Sequence, residues 1–220
     1  MIIDHTHPLY KKKQISKDNK YNGAYYYSRD IVKYFIPHVN TDRNWVTVRL
    51  EEVPVPSHSV VFVHNNRNPN YYNYLKKYDD VVLVCSTKHT YDNMKLISEK
   101  VILLPLSVNV KSVARYRVKE KTKDMAFAGR LIKKTNQVPS RADVLTSMPQ
   151  SKLIQEMAKY KTIYAVGRTA IQAKILGCEI GVYDNMYPDP SVWKVLDCSE
   201  AVDILQQDLD KIDGIIREKG

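Results

Sequence analysis

Short, unbroken apolar runs alternate along this chain with polar stretches of helical period. In the first half the runs are Val46–Leu50, Val60–His64, Val81–Cys85 and Val101–Leu106, all rich in Val, Ile and Leu. Helical patterns lie near Tyr71–Tyr78 and Thr90–Ser98. Ser28 is placed to cap a helix running to about Phe35, which must stop before Pro37. Residues 1–27 are polar and tyrosine-rich and predict no regular element. In the second half, Met125–Ala128, Val144–Thr146, Ile163–Val166 and Ile180–Tyr183 read as strands, with a helix at Lys152–Tyr160. A last amphipathic helix spans about Ser199–Glu218, with Val202, Leu205, Leu209, Ile212 and Ile216 on one stripe. Apolar strands separated by single helices predict an α/β fold with parallel sheets covered on both faces. Pro105–Val110 reads as a hinge, which divides the chain into residues 1–108 and 109–220.

The densest local signal is Thr162–Asp184, TIYAVGRTAIQAKILGCEIGVYD. A strand ends at Val166, Gly167-Arg168-Thr169 turns into the helical pattern Ala170–Leu176, Gly177 stops it, and a strand follows at once. That is one βαβ unit. Thr169 suits the helix cap, and Gly177 suits the left-handed position beyond its end. A helix N-terminus with a glycine for close approach and Arg168 beside it is suited to a phosphate group.

Phe127-Ala128-Gly129-Arg130-Leu131 with Lys133-Lys134, and later Gln172-Ala173-Lys174-Ile175-Leu176-Gly177 before an apolar strand, carry a further signal. In that order and at that distance they resemble the C-terminal domain of GT-B glycosyltransferases, over roughly residues 100–205. The resemblance implies two small Rossmann-like parallel-sheet domains facing across a cleft. The acceptor side would be the first domain, and the C-terminal helix would cross back. It further implies a donor site made by Gly129, Arg130, Lys133, Lys134, Gly167, Arg168, Thr169 and Gln172. Where the family has a glutamate that holds the donor's ribose, this chain has Gln172, which can hydrogen-bond a hydroxyl without the strength a charge adds.

Net charge is +10, and residues 111–134 hold nine Lys or Arg against Glu120 and Asp124. Such a run is either solvated surface or a patch for phosphates, from one diphosphate up to a polyanionic acceptor such as DNA. Eleven of sixteen tyrosines lie in residues 1–91, which suits half-buried packing or, less directly, stacking on bases or sugars. Asp4-His5-Thr6-His7 is like the HxH opening of metal hydrolases, but no histidine follows His89 to complete a ligand set. His64 ends a predicted strand at the edge where open α/β sheets hold ligands. It reads equally as a general base or as a histidine bonded to a loop carbonyl.

Walker, kinase, G-x-S-x-G and G-x-G-x-x-G motifs are missing from the sequence. Three cysteines at unrelated spacings, no apolar run of membrane-spanning length and no signal-peptide pattern predict a cytoplasmic protein with reduced thiols. The expectation is a metal-independent hexosyltransferase that uses a nucleotide-sugar, a UDP-sugar by resemblance, as donor and needs no separate cofactor. His64 would be the catalytic base if the reaction inverts the anomeric centre. The alternatives are a catalytically silent binding protein on the same scaffold and a nucleic-acid-binding module.

Overall fold

The computed structural model describes residues 1–8, 23–48, 55–63 and 80–219, with side chains except at 132 and 215–219. His64, the predicted helix at 71–78 and the tail of the first predicted strand (49–50) lie outside the described residues. The chain divides into two compact units, each α/β with a parallel sheet. Leu106–Asp197 forms the second, and the first combines the N-terminal residues and Ala24–Pro105 with the stretch from Cys198 onward.

In the first unit β1 (Ile2–Ile3), β2 (Asn44–Val46), β3 (Ser59–Val63), β4 (Val81–Cys85) and β5 (Val101–Leu103) pair in parallel and in sequence order. β1 falls where no element was expected, because two residues give periodicity nothing to register. Every residue of β3 and β4 is buried, which is why both read as continuous apolar runs. Val61, Val63, Leu83 and Cys85 pack on one face with Met94 of α2 (Lys88–Lys95). On the other face Phe62 stacks on Trp45 and meets Tyr27 and Phe35 edge-on. Tyr27 belongs to α1 (Gly23–Asp30), which continues as a wide π turn over Ile31–Phe35. Ser28 is not a cap: it sits buried within α1 and its hydroxyl pairs with Thr47 Oγ1 at 2.7 Å. The long C-terminal helix, called α6 below (Cys198–Lys219), packs on that π turn and buries Leu205 and Leu209.

In the second unit β6 (Lys123–Ala128), β7 (Asp143–Leu145), β8 (Tyr160–Tyr164) and β9 (Glu179–Gly181) form a parallel sheet in the order β7-β6-β8-β9. The segment expected to be a hinge, Pro105–Val110, ends where the short helix α3 (Val110–Ala114) begins, capped by Asn109 Oδ1 accepting from Ser112 N at 2.8 Å. Ala126, Ala128, Ile163 and Ala165 pack with Ile154 and Met157 of α4 (Gln150–Met157) and Ile171 and Ile175 of α5 (Arg168–Ile175). The opposite face is closed by Phe127, Val138, Ala142 and Tyr183. The connections β7→β8 and β8→β9 run one way across the sheet, and β6→β7 runs the other. Right-handed crossovers therefore put α4 and α5 on one face and the β6→β7 segment on the other. That segment holds one 3-10 turn, Leu131–Lys133.

Among the described residues no helix is long and apolar enough to cross a membrane.

Candidate functional site

The reversal of strand order falls between β6 and β8, the two central strands of the second sheet. Where neighbouring strands send their connections to opposite faces, a crevice opens at their carboxyl ends, and open α/β sheets bind ligands there. Phe127 lies in register with Tyr164, so the turns Gly129-Arg130 and Gly167-Arg168 leave the same edge side by side. The two turns singled out in the sequence thus lie on adjacent strands at one edge.

Gly167 has φ +62° and ψ −139°, a conformation essentially reserved for glycine, and it opens α5 with no side chain capping the helix. Thr169 is the second residue inside the helix, half-buried, so the predicted cap is one turn-start too late. The positive end of the α5 dipole thus faces the crevice edge without a side-chain oxygen of its own.

Gly129 is held by packing: a Cβ there would come within 2.9 Å of the Phe127 ring. Arg130 and Lys133 are exposed and Lys134 is half-buried. The chain beyond them reaches toward the β9 loop, with Thr135 Oγ1 donating to Tyr183 O at 2.9 Å and Gln137 Nε2 donating to Asn185 Oδ1 at 2.6 Å. Three cationic side chains therefore stand on the segment that leaves β6 at the same sheet edge as Gly167.

Arg168 and Gln172 face inward. Arg168 is 9% exposed and donates from NH1 to the Ser107 carbonyl at 3.5 Å. With its amide oxygen turned toward them, Gln150 accepts from Arg168 Nε at 3.1 Å, Arg168 NH2 at 3.3 Å and Gln172 Nε2 at 2.6 Å. Gln172 is 2% exposed. The arginine and the glutamine thus tie α4, α5 and the Ser107 segment together beneath the edge. Neither inward orientation was readable from spacing, although a polar residue among Ala170, Ile171 and Ala173 on a short helix is the pattern of a buried tie.

The basic run divides between the two edges of the sheet. Arg117 Nε donates to Ile175 O, and Lys121 Nζ donates to Ala158 O at 2.9 Å and Leu176 O at 2.8 Å. These acceptors are the terminal carbonyls of α4 and α5, which attract cations. Lys123 Nζ lies 3.0 Å from Tyr160 Oη, which donates to Asp143 Oδ2 at 2.7 Å, all three being first residues of their strands. Burial raises the Tyr160 hydroxyl's pKa, the Lys123 bond opposing this and the Asp143 bond adding to it. Arg117, Lys121 and Lys123 therefore serve the amino edge, away from Gly167.

In the first unit, Asp4 Oδ1 accepts from Thr6 N and Oγ1, both at 2.7 Å, and the His5 ring packs on Tyr25 at 5.0 Å. Burial lowers the His5 pKa, against the pull of Asp4. Among the described residues no group of three or more His, Cys, Asp or Glu is arranged to hold a metal ion. Comparison of the chain with protein-family models, with curated proteins and with solved structures finds no match.

Proposed function

We propose that the carboxyl edge of β6 and β8 binds the phosphates of a nucleotide ligand, and that the chain is a glycosyltransferase drawing a sugar from a nucleotide-sugar. The observation that carries the reading is the pairing of the uncapped, glycine-opened α5 N-terminus with the Gly129-Arg130 turn at the strand-order reversal. Helix amides and the cations Arg130, Lys133 and Lys134 are suited to the charge that grows on a departing nucleoside diphosphate. Fixed dipoles and cations stabilise that charge without reorganising. The resemblance noted above supplies the sugar chemistry and a UDP-sugar as the first donor to try; the strand-end position of His64 makes it the first-unit base of an inverting reaction, and the cysteine pattern suits a reducing cytoplasmic setting.

The silent scaffold is the second reading, favoured by Gln172. The residue standing in the family's ribose-binding position is buried and bonded to Gln150. One experiment separates the two. The protein is titrated calorimetrically with UDP and a panel of nucleotide-sugars, and release of nucleoside diphosphate is followed with each. Binding with turnover supports the transferase, and binding without turnover supports the scaffold. If no nucleotide binds, the edge carries no phosphate site and the proposal fails. Arg130→Ala is expected to weaken binding by about 1.5–3 kcal/mol, the range for a hydrogen bond to a charged group.

A further inference from the structure

At the amino edge of the first sheet, His58 stands between two carboxylates. Its Nδ1 lies 2.5 Å from Asp80 Oδ2 and its Nε2 lies 2.8 Å from Asp42 Oδ1. The three residues precede three neighbouring strands: Asp42 stands just before β2, His58 before β3 and Asp80 before β4. His58 also has φ +55°, a left-handed backbone uncommon outside glycine. The strained backbone and the doubly bonded ring are independent observations on one residue.

We propose that His58 is a proton-operated latch, clamping the lead-ins of β2 and β4 to that of β3 while its ring is charged and releasing one of them when it is neutral. The chemistry follows from the ring. Imidazolium donates from both nitrogens, so both carboxylates are satisfied. Neutral imidazole has one N–H and one lone pair, and a lone pair facing a carboxylate repels it. Other charges face the group. Arg43, from the β2 lead-in, donates from NH1 to Asp80 Oδ1 at 2.9 Å and from NH2 to Asp213 Oδ1 of α6 at 2.6 Å. Lys100, before β5, lies 3.7 Å from Asp80 Oδ1. Arg43 and Lys100 oppose a charge on His58, and Asp42, Asp80 and, at longer range, Asp213 favour it.

The balance favours the charged ring. The bonds from Asp42 and Asp80 raise the His58 pKa, and burial and Arg43 offset them only in part. The same bond holds the Asp42 carboxyl below its usual value. A raised folded pKa gives stability that is complete below the ordinary histidine value of about 6.5 and lost as pH rises through the folded value. The latch therefore opens as pH rises above the ordinary histidine value.

The test uses the full chain with ring-labelled histidine. The His58 resonance, identified by its loss in His58→Asn, is titrated by NMR, and amide exchange at 42–44 and 57–59 is followed from pH 6 to 9 after correction for intrinsic rates. Asparagine tolerates the left-handed backbone but carries no titrating proton, which separates strain from charge. The expected midpoint lies above 6.5, and Asp42→Asn, a change at an exposed side chain, lowers it. The opening constant rises across the transition by the ratio of the folded and unfolded acid constants, and in His58→Asn it is flat with pH. A wild-type midpoint at or below 6.5 overturns the latch. So does an unchanged midpoint in Asp42→Asn. Exchange that climbs with pH equally in wild type and His58→Asn overturns it as well. Nucleotide binding at the second unit enters none of these readouts.

Discussion

Gly167 and Gly177 flank the same helix, both have positive φ, and they should respond differently to substitution. Gly177 follows α5 with its N–H bonded to Lys174 O at 2.9 Å and Cys178 N bonded to Ala173 O at 2.9 Å, the hydrogen-bond pair of a Schellman end. Asparagine adopts that left-handed conformation with little strain, so Gly177→Asn should cost about 1 kcal/mol or less. Gly167 combines φ +62° with ψ −139°, outside the left-handed well that asparagine tolerates. Strain there is about 1–3 kcal/mol, and the unfolded-state gain from losing a glycine, about 0.4–1 kcal/mol, is common to both variants and cancels in their difference. Space contributes nothing to the difference. A Cβ on Gly167 would meet Leu106 Cδ1 at 3.7 Å, an ordinary contact, and one on Gly177 would meet nothing within 4 Å. The net expectation is that Gly167→Asn destabilises the second unit by about 1–2 kcal/mol more than Gly177→Asn. Native-state hydrogen exchange at the β6 and β8 amides reads this unit directly. Equal protection in the two variants would refute the backbone argument, and with it the claim that this turn is built for glycine.

Lys121→Met should cost about 1–2 kcal/mol, because a half-exposed ammonium is lost from two helix-end carbonyls, and chemical denaturation of the purified variant measures it. Gly181→Ala should destabilise by about 1–3 kcal/mol, since its Cβ would lie 2.5 Å from the Tyr164 ring. The double variant with Tyr164→Leu should recover much of that loss in a denaturation cycle. Cys85, Cys178 and Cys198 are all buried, and burial pushes the Cys85 thiol up to about 12. Thiol reagents at neutral pH should therefore label the native protein only as fast as it opens, and sub-denaturing urea should accelerate all three.

Several features of the fold were readable before any coordinates. β3 and β4 are apolar runs because their neighbours bury them, and β6 shows the same mark over Ala126–Ala128; burial leaves a trace in composition that needs no partner to interpret. Gly167 and Gly177 bracketed α5 because backbone conformation is a local property of one residue. β1 was missed because two residues show no period, and the early start of α1 because partners far away in sequence hold it: Tyr25 packs on His5 and Tyr27 on Phe62. Ser28 had the chemistry of a cap, but Thr47 offered its hydroxyl a buried partner instead.

Sequence alone determined that the chain alternates strand and helix, where its glycine turns fall, and that cations gather near residues 111–134. It did not determine strand order, because pairing energy depends on which apolar faces meet and many orders bury the same residues. Only the order β7-β6-β8-β9 brings Gly129 and Gly167 together at a reversal. Only packing turned Arg168 and Gln172 toward Gln150, sent Lys121 to the ends of two helices, and left Arg130 and Lys133 exposed. Asp42, His58 and Asp80 are separated by long stretches of chain, and nothing in their spacing joins them. Parallel pairing of β2, β3 and β4 puts the starts of three strands on one edge, and there Coulomb attraction links residues the sequence keeps apart.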